Sequence, residues 1–172
     1  ITLNDNSDVY DKFCVGIKDK KIDYVGNYYP GLDDKYEKVI DCTDKAVMPG
    51  FVNAHTHSAM TIFRNYADDM KLMDWLYKKI FPLEDKLDGD IAYWASSLAI
   101  IEMIKSGTTM FNDMYFFMDK TAKACIDSGM KAALSRGLSG DVADEDDARI
   151  KEAVELYKDY NNAGEGRIKV ML

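Results

Sequence analysis

Histidine is almost missing from this sequence: His55 and His57 are the whole supply in 172 residues. Cysteine is scarce as well. Cys14, Cys42 and Cys125 make neither a CxxC pair nor an even set, which excludes a disulfide framework and points to free thiols in a reducing cytoplasm. Long apolar runs are lacking too. The longest stretch without a formal charge, Ala46 to Phe63, holds Pro49, Gly50, Asn53 and both histidines, so it is no membrane span. Asp5 and Asp8 stand where a signal peptide needs apolar residues. Basic charge is in deficit, with 22 Lys and Arg against 30 Asp and Glu and a net charge of −8. Lys18, Lys20 and Lys21 lie scattered among acidic neighbours, which argues against a nucleic-acid surface. No internal repeat or low-complexity tract occurs. The chain starts at Ile1 and stops in the apolar run Ile168 to Leu172, so both ends read as cut.

What is present suits a soluble globular protein with a sizeable core: 47% hydrophobic and 30% charged residues. Up to about Asp44 the pattern is short strands and turns. Phe13 to Ile17 and Ile22 to Gly26 read as a β-hairpin, and Val39 to Cys42 as a further strand. Pro30-Gly31 and Asp33-Asp34 supply turn chemistry. This segment has too little apolar mass to fold alone.

From Lys45 the period changes. Phe51 to His55 is a buried-type strand after Pro49-Gly50. A helical stretch around Leu72 to Ile80 is expected to break at Pro82. Ile91 to Lys105 reads as a helix, with Trp94, Leu98, Ile101 and Ile104 at helical spacing and Gly107 ending it. Strand Thr108 to Asn112, helix Asp119 to Ser128, strand Lys131 to Ser135, helix Glu145 to Asn161 and strand Arg167 to Leu172 follow. That alternation predicts an α/β protein built of right-handed βαβ units. The expected architecture is the front half of a (β/α)8 TIM-type barrel over 48–172, preceded over 1–47 by strands of a composite β-sandwich.

His55-Thr56-His57 is the chemical signal. Alternate side chains on a strand share a face, so both imidazoles can close on one ion at the strand's C-terminal end, where barrel active sites lie. A pair of ordinary hydrogen-bonded histidines is the competing reading of a bare HxH. Position at the end of an apolar strand after a Pro-Gly turn favours the metal.

Met48-Pro49-Gly50-Phe51-Val52-Asn53-Ala54-His55-Thr56-His57 resembles the first-strand motif of the amidohydrolase superfamily. Met60, Arg64, Ala67-Asp68-Asp69, Leu72, Trp75-Leu76 and Pro82-Leu83-Glu84 extend the resemblance, as do Gly107-Thr108-Thr109, Phe111 to Tyr115 and Ser135-Arg136-Gly137. Together they resemble the branch of 5-methylthioadenosine/S-adenosylhomocysteine deaminases, near the chlorohydrolases and guanine deaminases. Asn65 departs from it, since many relatives carry glycine there.

The resemblance implies a divalent ion held by His55 and His57, zinc first and iron or nickel as alternatives, with further ligands from later strands. It implies hydrolytic deamination of an adenine ring by a metal-activated hydroxide, on 5-methylthioadenosine or S-adenosylhomocysteine. The proton-shuttling residues of the family lie beyond residue 172, so this chain alone is expected to be inactive and to bind zinc weakly.

The resemblance also gives Glu84 to the ribose hydroxyls, Arg136 to the substrate's carboxylate and Arg149 to the same end of the substrate. Each has a plainer reading: Glu84 as a helix-start carboxylate, Arg136 paired with Asp113, Arg149 paired with Glu145 at i,i+4. Trp75 reads as packing. The acidic run Asp144 to Asp147 reads as favouring the following helix's N-terminus rather than as a calcium loop. The partner expected is a small-molecule adenine nucleoside thioether, with a homo-oligomer left open. A guanine- or triazine-acting relative and a non-catalytic module remain as rivals.

Overall fold

The computed structural model describes residues 1–138 and 147–171. It divides into two compact units, Ile1–Pro49 and Gly50–Leu172. In the first, β1 (Phe13–Lys18) pairs antiparallel with β2 (Lys21–Asn27). The turn between them works because Asp19 and Lys20 both take left-handed backbone, with φ of 50° and 64°, the geometry that matches strand twist in a two-residue hairpin. The strand expected over Val39 to Cys42 does not form. Val39 and Ile40 are exposed there and join neither strand of the hairpin.

The second unit is a four-stranded parallel sheet in the order β3 (Phe51–Thr56), β4 (Thr108–Tyr115), β5 (Lys131–Arg136), β6 (Ile168–Val170). Sequential order in a parallel sheet is what successive βαβ units of a barrel produce. The long connection from β3 to β4 carries α1 (Leu72–Trp75), a π turn (Leu76–Ile80), α2 (Phe81–Glu84) and α3 (Gly89–Lys105). Then α4 (Met118–Ser128) and α5 (Ala148–Tyr160) fill the later crossovers.

Pro82 does not stop the helical stretch. It falls in the first turn of α2, directly after the π turn. There a missing N–H is tolerated, and a π turn is one way a helix absorbs a local misfit. Asp88 starts α3 by accepting from the Ile91 N–H at 2.8 Å. Gly107 ends the turn after it with φ of 84°, a left-handed position that costs glycine nothing.

One face of the sheet makes the core. Phe111, Ala132 and Ile168 stand side by side in register and are fully buried, with Leu134 and Val170 in the next layer. Ala92, Ala95, Ile100, Ala122, Cys125 and Leu156 close over them from α3, α4 and α5. Small residues on α3 let it lie close to the sheet. Its stripe of Trp94, Leu98, Ile101 and Ile104 faces away from this core and is exposed. Met110, Asn112 and Met114 alternate onto the opposite side of β4.

Burial pushes the Cys125 thiol up to about 12, so it stays protonated at neutral pH. A thiol reagent at pH 7.5 is expected to label exposed Cys42 quickly and Cys125 only after unfolding. Rapid labelling of Cys125 in the folded protein, mapped by peptide mass, would contradict this packing.

Candidate metal centre

Strand β3 does not run straight into its histidines. Its register on β4 passes from Asn53–Phe111 to Thr56–Asp113, three residues against two, which is a bulge. Bulges re-aim side chains next to functional sites. Here Asn53 takes over the lost ladder bond, its Oδ1 accepting from the His55 N–H at 3.3 Å. Across the gap the strands are held by side chains: Thr56 Oγ1 donates to the Asn112 carbonyl at 2.9 Å, and Asn112 Nδ2 to the Ala54 carbonyl at 3.2 Å.

The two imidazoles end side by side, centroids 5.0 Å apart and planes crossed at 76°. His57 Nδ1 lies 2.7 Å from the Met114 carbonyl oxygen. A carbonyl can only accept, so Nδ1 is the donor, and in the neutral ring the lone pair lies on Nε2. That arrangement, one ring nitrogen donating to a backbone carbonyl, is how metal-binding histidines are oriented and made more basic. The donor set therefore fits a divalent ion, though it is only part of a site. Among the described residues no group of three or more His, Cys, Asp and Glu is placed to hold a metal.

Behind His57 lies a buried polar chain. Ser58 donates to Asp113 through its N–H, at 3.1 and 3.2 Å, and through its hydroxyl. The chain continues from Ser58 Oγ to Ser96 Oγ and on to Thr121 Oγ1, 3.0 Å each. Burial raises the Asp113 carboxyl above its ordinary range, against the hydrogen bonds from Ser58. The chain fixes the turn after His57 to β4, α3 and α4. Replacing Asp113 by alanine leaves buried donors without an acceptor and is expected to cost about 2–3 kcal/mol, read in urea unfolding. A loss under about 0.5 kcal/mol, the range of ordinary surface changes, would show the chain to be dispensable.

Glu84 ends α2 and does not act as a solvated helix-start carboxylate: its Oε1 accepts from the Tyr115 hydroxyl at 2.5 Å. The Tyr115 ring lies 5.9 Å from that of His57, centroid to centroid. Arg136, next to Tyr115 across the β4–β5 register, pairs with Glu152 of α5 at 2.5 Å rather than with Asp113. Asp113 points into the serine chain instead, out of the arginine's reach. The Arg136 guanidinium also stacks 4.7 Å over Phe116, and its side chain is only 11% exposed.

Arg149 bonds Asp147, the N-cap of α5, through Nε at 2.9 and 3.0 Å. This ion pair holds the Asp147 carboxyl down at about 2, and Arg136 adds to the effect. The partner expected for Arg149, Glu145, and most of the run Asp144 to Asp147 lie outside the described residues. Trp75 is half-buried at the end of α1. The structure thus brings His57 and Glu84 to Tyr115, with His55 beside His57 and Arg136 on the adjoining strand end. Asn53, Asp113 and Tyr115 make contacts beside the histidines and Glu84 that the sequence motifs do not assign. The motif match over Phe111 to Tyr115 is the signal that could have found two of them.

The profile described as the amidohydrolase family matches residues 46–171. The chain belongs to the amidohydrolase family. Two relatives are named 5-methylthioadenosine/S-adenosylhomocysteine deaminase. That of Moorella thermoacetica is 45% identical over 95% of this chain and 38% of its own length. That of Dictyoglomus thermophilum is 50% identical over 81% of this chain and 32% of its own length. Among solved structures, a zinc-bound adenosine deaminase from Xanthomonas campestris aligns with a TM-score of 0.73 at 27% identity, over 95% of this chain and 38% of that one. Zinc-complexed atrazine chlorohydrolase from Arthrobacter aurescens aligns with a TM-score of 0.81 at 19% identity, over 100% of this chain and 44% of that one, a likeness of fold. This amidohydrolase chain therefore spans less than half the length of these relatives. Its four sequential parallel strands are a fragment of their TIM-type barrel. No helix among its described residues is long and apolar enough to cross a membrane.

Proposed function

We propose that this amidohydrolase chain is the front part of a metal-dependent enzyme that removes the amino group from the adenine ring of 5-methylthioadenosine and S-adenosylhomocysteine. The observation that carries the metal reading is the His57 Nδ1 bond to the Met114 carbonyl beside His55, because it presents Nε2 to an ion. A divalent ion held there, zinc by analogy with the relatives, supplies Lewis acidity and a water acidic enough to react near neutral pH. Its remaining ligands and the proton-transfer groups belong to chain outside residues 1–172.

The residues of this chain bind and orient. His55 and His57 hold the ion at the end of β3. Glu84, with its two acceptor oxygens, suits the vicinal hydroxyls of a ribose. Arg136, and beside it Arg149, suit a carboxylate on the substrate's amino-acid tail. The names of the relatives support this choice of substrate. A triazine has neither a ribose nor a carboxylate, so Glu84 and Arg136 would have nothing to bind there.

Full-length protein is expected to release ammonia from S-adenosylhomocysteine and 5-methylthioadenosine. Turnover of guanine or a chlorotriazine, with none of either nucleoside, would overturn the substrate assignment. Folded, metal-free, inactive protein would favour a non-catalytic module.

A further inference from the structure

Glu84 sits at the end of a four-residue helical segment, in the long excursion between β3 and β4. A glutamate there has freely rotating torsions, and freezing them on a ligand costs binding free energy. Its anchor is Tyr115, which is 6% exposed and held at the end of β4 by the Arg136 backbone in register and by a T-shaped contact with Phe116 at 4.9 Å. The phenol donates to Glu84 Oε1 at 2.5 Å while its ring faces that of His57 at 5.9 Å. One rigid side chain therefore spans from the metal-binding pair to the carboxylate. Tyr115 takes Oε1, which leaves Oε2 to accept from a diol.

We propose that Tyr115 is the positioning residue that sets Glu84 at a fixed distance from the His55–His57 pair, so that selection for a ribose over a deoxyribose depends on the Tyr115 hydroxyl. This rests on the reading of Glu84 as the group that binds the sugar. A bond from a neutral donor to a carboxylate is among the stronger ones, and it is made before substrate arrives.

The test uses full-length enzyme with S-adenosylhomocysteine and its 2′-deoxy counterpart. Tyr115→Phe keeps the ring and removes only the hydroxyl. It is expected to raise KM for the ribonucleoside about tenfold, the scale of one charge-assisted hydrogen bond, with kcat within about twofold. KM for the deoxy compound, metal content and Tm should stay near those of the parent. Glu84→Gln should lose the same preference. The double variant should be no worse than Glu84→Gln alone, because both changes break one interaction.

Two results separate the failures. If Glu84→Gln abolishes the ribose preference and Tyr115→Phe leaves it intact, or if the two effects simply add, the sugar assignment stands and the positioning role is overturned. If Glu84→Gln also leaves the preference intact, the sugar assignment fails and the positioning role fails with it. Should Tyr115→Phe lower Tm and metal content, the additivity of Glu84→Gln with Tyr115→Phe, measured on binding of the reaction product well below the lowered Tm, decides in the same way.

Discussion

On the proposed function, full-length protein with His55→Ala and His57→Ala together is expected to hold no metal and to release no ammonia from either nucleoside. The structure gives the reason in two steps. Both imidazoles emerge at the end of β3 with centroids 5.0 Å apart, and His57 is oriented through Nδ1 on the Met114 carbonyl. Removing an outer-shell partner of a metal ligand costs roughly 10–100-fold in metal affinity or activity. Removing two ligands must exceed that, and on the proposed reading leaves too few groups for a closed site. Metal analysis after dialysis should fall from about one ion per chain to a trace, with turnover below detection. A variant that kept stoichiometric zinc would place the ion elsewhere and refute the site. The fold should persist, because His55 is exposed and neither ring belongs to the buried core cluster.

The second large effect is expected at Arg136, and it is selective. S-adenosylhomocysteine carries a carboxylate and 5-methylthioadenosine does not. Arg136→Ala should raise KM about 10–100-fold for the first, the range of one or two charge-assisted bonds. It should change the second less than about threefold, within the context dependence of such energies. Glu152 already occupies the guanidinium Nε at 2.5 Å, while being 54% exposed itself. A substrate carboxylate must therefore share Arg136 with Glu152, and Glu152→Gln should favour the charged substrate. Equal losses on both nucleosides would mean that Arg136 supports the fold through Glu152 and Phe116, with no role in recognition.

The histidine pair and Arg136 differ in how far the sequence reveals their setting. HxH on an apolar strand is legible because strand side chains alternate, a local rule that needs no partner. The βαβ alternation is legible for a similar reason: Gly107 and Gly129 take left-handed backbone at φ of 84° and 78° and close α3 and α4 where the pattern breaks. Sequence and structure part where a distant partner decides. Val39 and Ile40 have strand composition, yet they join neither strand of the hairpin. Pro82 has the chemistry of a helix breaker, yet the π turn ahead of it lets the helical stretch continue. Asp113 has the charge to be an arginine's counter-ion, and its contacts are instead Ser58 and the hydroxyl chain behind it.

Sequence alone carries the order of elements, the sign of the charge and the histidine pair, because each follows from neighbours within a turn or a strand. The tertiary structure decides which nitrogen of His57 is free, which carboxylate meets Arg136 and what holds Glu84. Those contacts join residues 57, 16 and 31 positions apart. Such pairings depend on how strands register and helices pack, and no local periodicity encodes them. The histidine motif is thus written in the chain, whereas the setting that orients its two rings is a product of folding.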